Sequence, residues 1–436
     1  MRDLVITLIV FGSLPLTLKR PYIGVLMWVW LSVMNPHRLS WGFAYDFPFA
    51  AIVAAVTLCG LLIAKGPKKL PMTPVVATFL CFTVWMLLTT AAAIHPGTSW
   101  EMLQRTLKIV LMTCVGIALV NDKQKLHYLI WTLCASLGYY GIKGGVFTIS
   151  SGGDYRIWGP EGTFIAGNNE VALAFITIIP VFYYLFLNSS NKWLRYAFAA
   201  AMLLLGLSAL ASYSRGALVG IVAMAAFLWL KSPKKIVLGL LMAIVIPAAI
   251  AFMPAQWSQR MDTIKEYEAD DSAMGRINAW SMAFNLAKDR PLGGGLDIYD
   301  SQTFARYAPN PTDVHAAHSI YFQAMGEHGF IGLALYLLLG LLSWRTGTRI
   351  IRNAGRRPDL KWAATLATML QVSMVGFGVG GAFLSLLYFD VPYYLMAIMV
   401  ITDEIVRNTL RAEAEAARQR PASDAAAAGL LPAAVN

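Results

Sequence analysis

The feature that most constrains this chain is its division into apolar blocks, most of them roughly 15 to 25 residues long. They fall at about 4–18, 21–34, 48–64, 73–94, 101–120, 127–149, 169–188, 195–213, 216–230, 236–253, 318–344, 362–388 and 391–406. About 20 apolar residues in a helix cross a hydrocarbon layer about 30 Å thick. Lipid offers backbone N–H and C=O groups no partner, so each crossing has to be a helix. Composition agrees: 57% of residues are hydrophobic and 14% charged, where a soluble domain carries about 25% charged residues. The expected fold is an all-α, polytopic transmembrane helical bundle of about twelve crossings. The first block is expected to be re-entrant, interfacial or fused with the second.

The formal charge of +11 raises the question of nucleic acid, but the distribution of the cations argues against it. Lys65, Lys68 and Lys69, Lys123 and Lys125, Lys192 and Arg195, and Lys231, Lys234 and Lys235 follow alternate blocks. The strongest cluster runs from Arg345 through Arg349, Arg352, Arg356 and Arg357 to Lys361. This is the pattern of the positive-inside rule. It places 150–168, 212–216 and 254–317 outside and the C-terminal tail inside. No cleavable signal peptide is evident, because the first block lacks a small-residue cleavage site and runs into Lys19 and Arg20. Cys59, Cys81, Cys114 and Cys134 lie inside apolar segments at spacings that match no metal motif.

Four regions follow. Residues 1–253 hold transmembrane helices with short loops, and 254–317 form one long outside loop. Residues 318–406 hold further transmembrane helices, and 407–436 are a cytoplasmic tail expected to be disordered. A loop as long as 254–317 is uncommon unless it has work to do. It is expected to be partly helical, since Ile277, Trp280, Phe284 and Ala287 recur at helical spacing until Pro291 and Gly293-Gly294-Gly295.

The residues able to carry chemistry gather on the outer side. Arg215 sits in a very short turn, Ser212-Tyr213-Ser214-Arg215-Gly216, where the positive-inside rule disfavours an arginine. It reads either as a snorkelling or capping residue or as an anion clamp, for which a guanidinium fork suits phosphate oxygens. Arg276 follows Glu268, Asp270 and Asp271, so it is a loop ion pair or a second clamp. His318 lies where the long loop meets the next block, as a helix cap or a general base. His315 stands three residues before it without a third ligand at a convincing spacing, so no metal site is expected. Tyr155, Arg156 and Asn169 in and beside the loop at 150–168, with Trp158, Glu161, Thr163 and Asn168, suit a sugar or an interfacial belt. Arg105 and Lys108 lie within an apolar block, where charges are costly and functional by default. No Walker motif, dinucleotide fingerprint or other cofactor signature is present, so the energy for any transfer has to arrive in an activated donor.

At these positions the sequence resembles the O-antigen ligase family of the O-antigen ligase and polymerase superfamily. The resemblance rests on Ser212-Tyr213-Ser214-Arg215-Gly216-Ala217, Arg276 with Trp280, Pro291-Leu292-Gly293, Gly295, His318, and Glu327-x-Gly329-x-x-Gly332. Where that family usually has Asn after the histidine, this chain has Ser319. The resemblance implies a metal-independent, inverting transfer of a glycan from undecaprenyl pyrophosphate to a lipid A-core acceptor in the periplasmic leaflet of the inner membrane. It further implies Arg215 and Arg276 as pyrophosphate ligands and His318 as base. A polymerase or protein O-oligosaccharyltransferase using the same donor shares these motifs. A transporter would be expected to show two related halves, and no repeat is visible. Glu327, nine residues past His318, lies about half a turn away on a straight helix and is expected to pack or cap locally.

Overall fold

The computed structural model describes residues 1–66, 68–232, 234–262 and 271–419. Glu268 and Asp270 and the tail from 420 lie outside these residues. Among the described residues there are sixteen α-helices and no strand, so the chain is all-α as expected. Seven helices are long and apolar enough to cross a membrane: Pro74–Ala91, Pro96–Leu119, Asn168–Asn188, Lys192–Leu210, Lys235–Phe252, Ile320–Ala354 and Lys361–Phe383. Tyr22–Met34 and Phe49–Ile63 are apolar but shorter, so the helices do not establish a count of twelve. Lys235–Phe252 has no buried residue although it is almost wholly apolar. Water would make such a helix unstable, and lipid makes it ordinary.

The basic clusters converge at one end of the bundle. Lys19, Arg20, Lys65, Lys68 and Lys125 surround one hollow there, and Lys69, Arg349, Arg407 and Arg411 line a second that shares Asn121 with it. Arg349 grips the buried Asp403 through two bonds, Nε to Oδ1 at 2.9 Å and Nη2 to Oδ2 at 2.8 Å. This pair ties the Ile320–Ala354 helix to Asp390–Gln419. The first block departs from expectation. It is a separate 18-residue helix, Arg2–Lys19, lying along Phe49–Ile63. Its start is tied to the far end, where Arg2 donates to the Leu39 carbonyl at 2.9 Å and the Ala44 N–H donates to Asp3 at 3.1 Å. Its finish, Lys19, lies in the basic hollow. It is thus a helix separate from Tyr22–Val29 rather than fused with it, running from that end to the basic hollow.

Two glycine pairs set the geometry that matters for function. Gly216 and Gly220 on Arg215–Lys231 face Gly376 and Gly380 on Lys361–Gly380: a Cβ at Gly220 would stand 3.2 Å from the Gly376 carbonyl, and one at Gly216 3.8 Å from that of Gly380. Small residues four apart on both partners let helix backbones meet closely in a membrane. This packing brings the start of Arg215–Lys231 against the end of Lys361–Gly380. That second helix stops sooner than the apolar block at 362–388 suggests. Gly381–Phe383 is a 3-10 turn, and Leu384 to Phe389 is a buried non-helical strap leading to Asp390. Non-helical backbone at membrane depth is tolerated only inside protein or beside a cavity, and this strap meets both conditions.

Candidate functional site

At the end opposite the basic hollows, a polar cavity of about 170 Å³ is lined by Arg156, Asn168, Asn169, Tyr213, Ser214, Arg215, Ser272, Arg276 and His318, with Gly216, Phe383 and Leu384. Residues far apart in sequence meet here because four helices begin at this point: Asn168–Asn188, Arg215–Lys231, Asp271–Asp289 and Ile320–Ala354. Each helix start carries unpaired N–H groups and a partial positive charge. Their convergence with three arginines gives the cavity the electrostatic character that suits an anion.

Each wall is fixed by local chemistry. Ser214 caps its helix by accepting from the Ala217 N–H at 3.1 Å, which puts Arg215 in the first turn. Tyr213 before it has φ of 59°, and its hydroxyl donates to the Gly153 carbonyl at 3.0 Å. The Asn168 amide donates to the Ser212 carbonyl at 2.7 Å. Arg156 lies over the Tyr213 ring at 5.4 Å. The turn, the loop at 150–168 and the start of Asn168–Asn188 are therefore one unit. The Arg276 helix holds the segment that leads to His318. The Asn278 amide donates to the carbonyls of Asn310 and Asp313, both at 2.8 Å, and the Trp280 indole to that of Ala317 at 2.7 Å. Trp280 also stacks flat on Phe322 at 4.8 Å. A Cβ at Gly275 would run into the His315 ring, so a larger residue there would displace that partly exposed side chain.

His318 is held from the other side by the strap. Its N–H donates to the Ser385 hydroxyl at 2.9 Å. Its φ of 42° lies in the left-handed region, which a non-glycine residue enters only when its surroundings impose it. Nδ1 is buried without a hydrogen-bond partner among the described residues. Burial, then the charge of Arg276 and then His315, push its pKa down to about 4. The imidazole is thus neutral at pH 7 and able to accept a proton. His315 instead pairs with Asp313 at 2.8 Å. Among the described residues, no group of three or more His, Cys, Asp or Glu side chains is placed to hold a metal ion.

Of the residues singled out in the sequence, Arg156, Asn169, Arg215, Arg276 and His318 line this one cavity. Tyr155, Arg105 and Lys108 do not. Tyr155 is exposed with its ring 6.0 Å from Phe147, and Arg105 and Lys108 are exposed on Pro96–Leu119. The sequence reading missed Ser272, Phe383, Leu384 and Ser385, the last three hidden in what reads as one long apolar block. It also missed Glu170, in the first turn of Asn168–Asn188 and within electrostatic reach of Arg276. A carboxylate just after the pair Asn168-Asn169 is a helix-start signal that could have pointed to it.

Glu327 packs inside the fold. It is fully buried and accepts a very short hydrogen bond from the Tyr388 hydroxyl. The Gln323 amide reaches its other oxygen at 3.4 Å. The Tyr388 oxygen also meets His328 Nε2 at 2.6 Å, and His328 Nδ1 meets Thr89 at 2.8 Å. The Ile320–Ala354 helix breaks here at Gly329, with φ of 68°. The N–H groups of Gly294 and Gly295 use the break, donating to the Gly326 and Glu327 carbonyls at 2.9 Å each.

Residues 200–337, which contain Arg215, Arg276 and His318, match the family model described as O-antigen ligase. The match supports membership of the O-antigen ligase family. Residues 1–191 match a family of unknown function (DUF5935), and no curated protein gives a significant match. The cavity draws Arg156, Asn168 and Asn169 from the first 191 residues and its other two arginines and histidine from the stretch that matches the O-antigen ligase model. Phe383 and Leu384 come from beyond both. A multi-pass, helical protein of O-antigen ligase or polymerase type is consistent with lipid-linked glycan substrates.

Proposed function

We propose that this protein is an O-antigen ligase of the inner membrane, transferring a glycan from undecaprenyl pyrophosphate to a lipid A-core hydroxyl at the periplasmic face. The observation that carries this reading is the single cavity in which Arg215, Arg276 and His318 meet at four converging helix starts. Arg215 and Arg276 hold the pyrophosphate, with Arg156 and Asn169 toward the glycan. His318 removes the acceptor proton, the acceptor oxygen attacks the anomeric carbon opposite the pyrophosphate, and the sugar configuration inverts. The bond from carbon to the phosphate oxygen breaks as the new one forms. The negative charge that builds on the departing group falls on the arginines and helix starts, an effect worth about 3–4 kcal/mol per donor in comparable sites.

Binding and base chemistry support one another in this arrangement. A histidine at about 4 is a weak base in the empty cavity. A pyrophosphate offsets the charge of Arg276, which is one of the causes of the depression, and raises the histidine toward its task. The test is transfer by purified protein from a lipid-linked glycan to lipid A-core, with EDTA present and products separated on a gel. Transfer to lipid A-core supports the ligase. Growth of lipid-linked chains, or labelling only of a protein acceptor, reassigns the acceptor and keeps the donor chemistry.

A further inference from the structure

The hollow at the opposite end of the bundle has a use that the transfer reaction does not give it. It has a volume of about 370 Å³ and is lined by Lys19, Arg20, Lys65, Lys68 and Lys125, with Pro21, Tyr22, Ala64, Leu119 and Asn121 among its walls. The cations come from three separate places in the sequence: the turn after Arg2–Lys19, the chain leaving Phe49–Ile63, and the first turn of Lys123–Ser150. Lys125 has a carboxylate partner, Asp122 at 3.0 Å, and lies over the Tyr22 ring at 5.5 Å. Lys19, Arg20, Lys65 and Lys68 pair with no carboxylate among the described residues; the Lys68 ammonium reaches only the Leu62 carbonyl, at 3.4 Å. Like charges gathered round one hollow repel unless an anion joins them.

The walls below the cations say what kind of anion. Val25, Val115 and Leu119, with Tyr22, Leu58 and Leu61 packed on them, form a small apolar cluster separate from the main core. Leu119 and Tyr22 belong to both the cluster and the hollow. Leu62 and Ile63 stand exposed beside it. A cationic cup therefore sits at the head of an apolar seam, between helices that face lipid. Basic pockets between helices at the cytoplasmic side of a membrane suit acidic lipid headgroups.

We infer that this hollow binds the phosphate headgroup of an anionic phospholipid, with the acyl chains lying along the seam formed by Tyr22, Leu58 and Leu61. The proposal is independent of the glycan-transfer reading. It differs from the general attraction of a basic surface for an acidic membrane, because the cations line a walled cup. Lys231, Lys234 and Lys235 supply the comparison, being equally basic, at the same end of the bundle, and on open surface.

The experiment is native mass spectrometry of the full-length protein, released from vesicles of phosphatidylethanolamine and phosphatidylglycerol and from vesicles of phosphatidylcholine. Wild type is expected to retain phosphatidylglycerol about tenfold better than phosphatidylcholine. The triple variant Lys19→Gln, Arg20→Gln, Lys65→Gln should lose most of that preference. The triple variant Lys231→Gln, Lys234→Gln, Lys235→Gln should lose less than about twofold. Lys19→Arg with Lys65→Arg keeps the charge and should retain the lipid, which separates loss of the site from loss of folding. Equal loss in both glutamine triples would overturn the site in favour of diffuse surface charge. Equal retention of phosphatidylcholine would leave only an apolar seam. Displacement of the lipid by millimolar inorganic phosphate would make the hollow a site for the free anion.

Discussion

Tyr388→Phe removes one oxygen from a fully buried polar network. The hydroxyl donates to Glu327, and its oxygen accepts from His328 Nε2 at 2.6 Å. Phenylalanine keeps the ring and its packing, so the change isolates the two hydrogen bonds. It leaves a buried carboxylate oxygen and a buried imidazole N–H without partners, each costing about 1–3 kcal/mol, and more where the group is charged. With Glu327 and His328 both fully buried, the sum is about 2–6 kcal/mol. Tyr393→Phe is the control, since that hydroxyl makes a single neutral bond, to the Leu387 carbonyl at 2.6 Å, worth about 1 kcal/mol. Equilibrium unfolding in mixed micelles measures both. Glu327→Met added to Tyr388→Phe should recover part of the loss, because an apolar chain no longer needs the missing donor. The strap that carries Tyr388 also carries Ser385 to His318, so transfer should fall together with stability. A cost for Tyr388→Phe no greater than that for Tyr393→Phe would refute the reasoning, as would a double variant less stable than the single one.

The other predictions concern the cavity. His318→Ala should abolish transfer while the protein stays folded and in the membrane; near-normal transfer by purified variant would remove it from the base role. A histidine pushed down to about 4 in the fold and near 6.5 in the unfolded chain gives stability that is full above 6.5 and lost as pH falls toward 4. Unfolding curves across that window should flatten in His318→Ala. The acid limb of kcat/KM, which reports the free protein, should lie near 4, and that of kcat, which reports the bound complex, should lie higher; a kcat limb at or below that of kcat/KM would count against offset of Arg276 by the donor. Arg215→Lys and Arg276→Lys keep charge but lose the fork, so each should lose at least about tenfold in transfer rate. The double variant should lose less than the product of the singles, because both act on one anion; strictly additive losses in the cycle would oppose a shared clamp.

The membrane fold was legible because lipid makes helix the only answer to an apolar block, and the basic residues mark one end. The path of Arg2–Lys19 was left open between alternatives, because loop charge alone does not settle it. Its placement depends on Arg2 and Asp3 holding backbone groups around Leu39 and Ala44, contacts that leave no periodic trace. Leu384 to Phe389 was unreadable for a related reason. The segment is as apolar as the helices beside it, so hydropathy carries no sign that its backbone leaves the helix. The glycines at 376, 378, 380 and 381 were the available signal, since small residues where two helices meet can also mark where one of them ends. Arg215 and His318 were found because each broke a rule, one as an arginine on the outer side and one as a titratable group at a helix start. Arg105 and Lys108 broke a rule too, yet they face outward. An unexpected charge marks a position under constraint without saying which surface supplies the constraint.

The cavity also explains why the motifs are spread so thinly along the chain. No element could build it alone. Arg215 is placed by a glycine-to-glycine helix contact, Arg276 by a loop helix that docks through Asn278 and Trp280, and His318 by a strap from near the end of the chain. These supports run through backbone carbonyls, a serine hydroxyl and small residues. The Glu327, Tyr388 and His328 network then stands below the cavity, joining the Ile320–Ala354 helix, the strap and Thr89. Four helix starts and three arginines concentrate positive charge at this point. That buried network braces the same helix and strap that hold His318, which is why its loss should reach the transfer rate as well as the unfolding curve.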